Sequence, residues 1–196
     1  MMSASPASAE DTALLLDPRR FTVDEYHRLI AAGILDEDEH VELLEGVITA
    51  MSPHGGPHAR CIQWLNRYLI RTLPDAYVVR PQLPLTLRPR NEPEPDLAVV
   101  SREAAEEHAH PSTALLAVEV SGGSLRIDRK VKTGVYSRAG IPEYWIGNVE
   151  ARAVEVFTDP DPKQRAYRRV RTVPKTETLS SETLPQLSFP VAELFA

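Results

Sequence analysis

The chain has 196 residues, which suits one domain with a core of ordinary size. Its 42% hydrophobic and 26% charged residues fall in the globular range and exclude a disordered chain. A net charge of -6 excludes an all-over basic nucleic-acid coat, and the one cysteine, Cys61, excludes an internal disulfide and a cysteine-built zinc site. A reducing cytoplasm is the compartment this usage fits. No apolar run approaches the roughly 20 residues of a membrane span.

Residues 1–20 begin with an Ala/Ser-rich stretch that has no basic end followed by an apolar core. They read as a disordered tail and not a signal peptide, with a single domain over 21–196. Thr22-Val23-Asp24-Glu25 has the form of a capping box and opens a helix with Tyr26, Leu29 and Ile30 on one face, ending near Gly33. After the acidic loop Asp36 to Glu39, two short apolar runs, Val41 to Leu44 and Val47 to Met51, flank Glu45-Gly46 as a tight hairpin. Pro57 suits a first helical turn, and Ile62, Leu65, Leu69 and Leu73 continue a helical period.

Short strands separated by proline follow: Tyr77 to Arg80, Leu85 to Leu87, Leu97 to Val100 and Leu115 to Val120. Asp128 to Ala139 reads as a helix with Val131, Val135 and Ala139 at four-residue spacing, ended by Gly140. Glu143 to Ile146 returns as a strand, Ala153–Phe157 and Ala166–Val170 as a terminal hairpin, and Leu184 to Phe195 packs back on the body. The pattern predicts an α/β fold with one mixed central sheet flanked by helices.

The run Ala114 to Val120 is apolar except at Glu119. An ionised side chain in a strand buried on both faces is costly unless something compensates it. Asp96 sits at the head of the apolar run Leu97 to Val100, and Lys132 lies on the basic helix downstream. Two strand carboxylates with a lysine nearby can hold a divalent cation and stabilise an attacked phosphate. Spacing alone also fits plainer roles: an edge-strand or ion-paired Glu119, an Asp96 that caps its strand, and a surface Lys132 paired with Asp128.

Residues 126–196 hold 12 Lys/Arg against 9 Asp/Glu, whereas residues 1–60 hold 4 against 11. The basic strip Arg126 to Lys132 fits either a phosphate-facing surface or a solvated face. His54, His58 and Cys61 have a chelating spacing, but Pro57 resets the backbone between them and a fourth ligand is not apparent. His58 also fits a place facing the cleft. Gln82 fits a sheet-edge amide or a group that places water or substrate, and Gly122-Gly123 a turn or room for a substrate backbone.

The segments Glu92-Pro93-Glu94-Pro95-Asp96-Leu97, Val118-Glu119-Val120-Ser121, Ser124 to Lys132 and Tyr136 to Ile146 resemble, in order, the signature of the Uma-type restriction endonucleases. This is a branch of the PD-(D/E)XK nuclease superfamily. Glu42 to Gly46 and Met51-Ser52-Pro53 with His58 resemble it too. The resemblance runs from about Phe21 to the C-terminus. It implies a restriction-endonuclease-like core and a Mg²⁺- or Mn²⁺-dependent endonuclease acting on DNA, with RNA not excluded and a homodimer as one way to cut both strands.

Residue by residue, the resemblance places Asp96 and Glu119 as the motif's two acids, with Glu42 a third candidate for the metal shell. Ser121 stands where the parent motif has lysine, and Lys132 on the next helix takes that place; Asp128, Lys132 and Tyr136 then share one helix face. The alternative function is a non-catalytic nucleic-acid-binding or regulatory interaction module on the same fold.

Overall fold

The computed structural model describes residues 18–36, 39–51, 55–107 and 110–196. Most of the expected tail, the middle of the acidic loop, and Ser52, Pro53 and His54 lie outside them. Thr22 caps helix α1 (Val23–Ala31) through the expected box: its hydroxyl accepts the Glu25 N–H, and Glu25 Oε2 accepts the Thr22 N–H. Strands β1 (Val41–Leu44) and β2 (Val47–Ala50) form the expected hairpin. Glu45 and Gly46, at φ 51° and 78°, are the left-handed pair of a two-residue turn. Helix α2 (Gly56–Thr72) carries Pro57 in its first turn and buries Cys61, Ile62, Leu65 and Leu69.

The chain continues through β3 (Tyr77–Pro81), β4 (Leu97–Ser101), α3 (Arg102–Glu107) and β5 (Leu116–Ser121). A composite helix α4 then runs from Leu125–Ile127 through a π-helical turn, Asp128–Lys132, into Thr133–Arg138. After it come β6 (Glu143–Asn148), β7 (Ala153–Asp161), β8 (Ala166–Pro174), β9 (Thr178–Ser180), β10 (Ser188–Pro190) and α5 (Val191–Leu194). Among the described residues β3 to β8 make one six-stranded mixed sheet in chain order. Only β5 and β6 run parallel, and α4 is the crossover that a parallel pair requires.

The sequence reading has no counterpart for α3, β9 or β10, and three of the elements it does read differ. Leu85 and Leu87 are buried, but among the described residues the segment forms an isolated bridge, Leu87 to Asn91, and no ladder; Leu85 and Thr86 give their N–H groups to the carbonyls of Pro93 and Pro111, which have none to return. The basic helix starts at Leu125, three residues early, because Ser124 O accepts the N–H groups of Ile127 and Asp128. The C-terminal hairpin is longer than expected and belongs to the main sheet as β7 and β8.

The sheet is covered on both faces. Leu97, Val99, Leu116, Val118 and Val120 pack in one core cluster with α2 and the C-terminal segment. Ala98, Val100, Ala117, Tyr144 and Ile146 pack in another with Val135 and Tyr136 of α4. Side chains alternate along a strand, so Asp96, two residues before Ala98, and Glu119, two after Ala117, belong to the α4 face. The β4–β5 register pairs Leu97 with Val118; its next step sets Asp96 opposite Glu119.

Candidate active site

The register brings the two acids to one end of the sheet, and α4 and the β1–β2 hairpin supply the rest. Glu42, Asp96, Glu119 and Lys132 are 5%, 7%, 5% and 6% exposed, so each charge must be met inside the protein. Lys132 Nζ lies 3.0 Å from Glu119 Oε1 and 3.1 Å from Glu42 Oε2. Tyr136 donates its phenol to the same Glu119 oxygen at 2.7 Å. Asp96 Oδ2 accepts the Val120 N–H at 2.7 Å and lies 3.1 Å from His58 Nε2. Glu42, Glu119 and Lys132 are therefore in contact and Asp96 lines the same cleft, and Lys132 is neither at the surface nor paired with Asp128.

The π turn helps set the face that α4 presents. The Asp128 carbonyl accepts the Thr133 N–H that closes the turn, the Thr133 hydroxyl at 2.9 Å and the Tyr144 phenol at 3.3 Å. Such turns recur at functional sites. Asp128, Lys132 and Tyr136 are all buried, as an α-helical i, i+4, i+8 face also predicts. The Asp128 carboxylate takes the Ser124 hydroxyl at 2.7 Å.

Among the described residues, five acids, Glu42, Glu94, Asp96, Glu119 and Asp128, line a cleft of about 470 Å³ against one ammonium, Lys132. Burial pushes the Glu119 carboxyl well up from its ordinary value, with Lys132 pulling against it. Burial likewise raises Glu94 and Asp128. Lys132 moves the other way from what its own burial would do: Glu119, Glu42 and Asp128 outweigh desolvation and hold its ammonium charged. The cleft is short of positive charge.

Among the described residues no three His, Cys, Asp or Glu side chains form a ready-made metal cage. The donor set still fits a hard cation that keeps most of its waters and takes one or two carboxylates. Asp96 and Glu119 each spend one oxygen on protein donors. The other, Asp96 Oδ1 and Glu119 Oε2, takes no hydrogen bond among the described residues. Of the zinc combination, the Cys61 thiol is buried against the Leu194 carbonyl and His58 turns to Asp96, while His54 lies outside the described residues.

Glu94 was not picked out by sequence reasoning, although Glu92-Pro93-Glu94-Pro95-Asp96 carries acids at period two, the spacing that puts them on one side of an extended segment. Glu94 and Asp96 line the cleft; Glu92 instead takes His27 and the Thr86 hydroxyl. Gln82 is exposed and gives its backbone N–H to the Asp96 carbonyl. Gly122 and Gly123 border the cleft, and a Cβ added at either would meet nothing within 4 Å.

The fold is thus a mixed sheet flanked by helices, with Glu119 on β5, Asp96 just ahead of β4 and Lys132 on the crossover helix at one cleft. The Uma2 family, described as "Putative restriction endonuclease", matches residues 23–192, and the chain belongs to that family. Its fold is similar to a solved structure described as "a putative nuclease belonging to DUF820" from Anabaena variabilis ATCC 29413, with TM-score 0.71 and 14% identity over 89% of this chain and 97% of that one. No curated protein matches. Among the described residues no helix is long and apolar enough to cross a membrane.

Proposed function

We propose that this chain is a divalent-metal-dependent endonuclease that hydrolyses phosphodiester bonds in DNA, with residues 21–196 acting as one nuclease domain. The observation that carries the reading is the pair of uncommitted oxygens, Asp96 Oδ1 and Glu119 Oε2, at one cleft with a buried ammonium beside them. In this reading Asp96 and Glu119 hold Mg²⁺ or Mn²⁺. Such an ion, when bound, activates water and offsets charge on the attacked phosphate.

Lys132, pinned by Glu42 and Glu119, presents a fixed cation to the charge that develops on the phosphoryl oxygens. Glu42 spends Oε2 on Lys132 and on the Glu94 N–H, which leaves Oε1 to join the metal shell. Tyr136 keeps the Glu119 carboxylate in its plane. Two copies related by a twofold axis would supply one centre per strand.

The test is Mn²⁺ calorimetry alongside cleavage of supercoiled DNA, comparing the natural sequence with Asp96→Asn and Glu119→Gln. The expected result is Mn²⁺ uptake and cleavage in the natural protein, with both lost in each variant while the thermal transition persists. Equal Mn²⁺ uptake by all three proteins would overturn the proposal. Salt-sensitive DNA binding without cleavage in either metal would favour a binding module instead, and cleavage of RNA alone would move the substrate class.

A further inference from the structure

We propose that His58 is a positioning residue that orients the Asp96 carboxylate for the metal, a role that rests on the nuclease reading above. His58 stands in the first turn of α2, whose apolar residues cover the sheet face opposite to α4. Its imidazole nevertheless reaches Asp96, with Nε2 3.1 Å from Oδ2 and both side chains largely buried. An ionised carboxylate only accepts, so the hydrogen of this bond sits on Nε2.

The same Oδ2 receives the Val120 N–H at 2.7 Å. Two donors arriving from different elements fix both the carboxylate's rotation and its plane, and they leave Oδ1 as the ligand oxygen. Asp96 has particular need of such support. It follows Pro95 and precedes β4, outside the β4–β5 ladder that holds Leu97. The choice of imidazole is also physically sensible. A neutral ring can donate this bond, whereas an arginine or lysine at the same place would compete with the cation for the carboxylate. Supports of this kind around metal ligands typically change metal affinity by about 10- to 100-fold when removed.

The experiment compares the natural protein with His58→Gln, His58→Asn, His58→Ala and Asp96→Asn by Mn²⁺ calorimetry and DNA cleavage over a range of Mn²⁺ concentration. The Gln amide nitrogen can occupy the place of Nε2; the shorter Asn side chain keeps the polarity but cannot reach. The expected result is near-natural Mn²⁺ affinity in His58→Gln and an affinity lower by about 10-fold or more in His58→Asn and His58→Ala. Saturating Mn²⁺ should restore cleavage in those two and not in Asp96→Asn.

Asp96-dependent Mn²⁺ binding that is unchanged in His58→Asn would overturn the role of His58 while leaving the nuclease reading intact. An equal loss in His58→Gln and His58→Asn would overturn it too, since the donor would then be irrelevant. Mn²⁺ binding indifferent to Asp96→Asn would remove the nuclease reading and the role together. Should His58→Ala fail to fold, the Gln and Asn pair carries the same comparison.

Discussion

Tyr136 and Lys132 converge on one oxygen: Glu119 Oε1 accepts the phenol at 2.7 Å and the ammonium at 3.0 Å. Both donors come from α4, one turn apart, and both approach an acid in the middle of β5. Burial and the neighbouring Glu119 push the Tyr136 phenol well above its ordinary value, so it stays a donor across the working pH range. Tyr136→Phe keeps the ring packing against Tyr144 and removes only that hydrogen bond. A hydrogen bond contributes about 0.5–1.5 kcal/mol, and more where its partner is charged, so the urea midpoint of the variant should fall accordingly. An unchanged midpoint would show that Lys132 alone satisfies Glu119.

Lys132→Met should be far more damaging, and its effect should depend on pH in one direction. The substitution leaves Glu42 and Glu119 facing each other without their cation, and removing one partner of a buried ion pair costs about 3–5 kcal/mol. The burial-raised carboxyl of Glu119 rises further when the ammonium is gone. The folded variant then binds more protons than the unfolded chain between the ordinary glutamate value of 4.5 and the raised folded value. In that window stability increases as pH falls. Glu119 of the natural protein is itself raised, so the loss should be full above the variant's folded value, shrink on acidification between that value and the natural protein's own, and level off below it. Melting curves of both proteins from pH 4 to 8 check this; a gap that widens toward acid contradicts it.

Much of this site could be read in the sequence because strands make its geometry nearly one-dimensional. Period two places Asp96 with Ala98 and Glu119 with Ala117, and an apolar run broken by one acid marks that acid as compensated. What the pattern could not give is which groups compensate it. Glu42 lies beside Leu43 and Leu44 with its facing unresolved, and only the turn at Glu45-Gly46 and the bridge from Leu43 to Glu92 turn it inward. The same holds for His58, whose helix covers the other face of the sheet. The π turn is illegible in the sequence for a related reason: one of the donors on its Asp128 carbonyl, the Tyr144 phenol, comes from β6.

Glu94 offers a test of the charge imbalance itself. Burial and then the nearby Glu42 raise its carboxyl above 4.5, so the folded state disfavours its ionised form. The penalty is absent below the unfolded value and complete above the folded one. Glu94→Gln should therefore stabilise the metal-free protein at pH 8 and leave stability unchanged at pH 4, again read from melting curves. Stabilisation confined to acid would reverse the sign and show that Glu94 is held by its cationic neighbours, Lys132 and His40.

Glu143 is fully buried at the start of β6, yet its contacts involve none of the cleft residues. Its Oε1 accepts the Trp145 indole N–H at 2.7 Å; its Oε2 accepts the Ser181 hydroxyl and the N–H groups of Glu182 and Thr183 at 2.7, 3.0 and 2.9 Å. All four partners are donors, and only a carboxylate offers acceptors at both ends. Glu143→Gln would point an NH₂ group at one of these donor sets and leave a buried donor unsatisfied, which costs about 1–3 kcal/mol. The loss should appear as a lowered transition followed by Trp145 fluorescence, because the ring packs against Phe189 of β10 and reports the seating of the C-terminal segment on the sheet. Mn²⁺ uptake by the folded variant should remain natural. Loss of metal binding with an unshifted transition would instead tie Glu143 to the cleft and not to the fold.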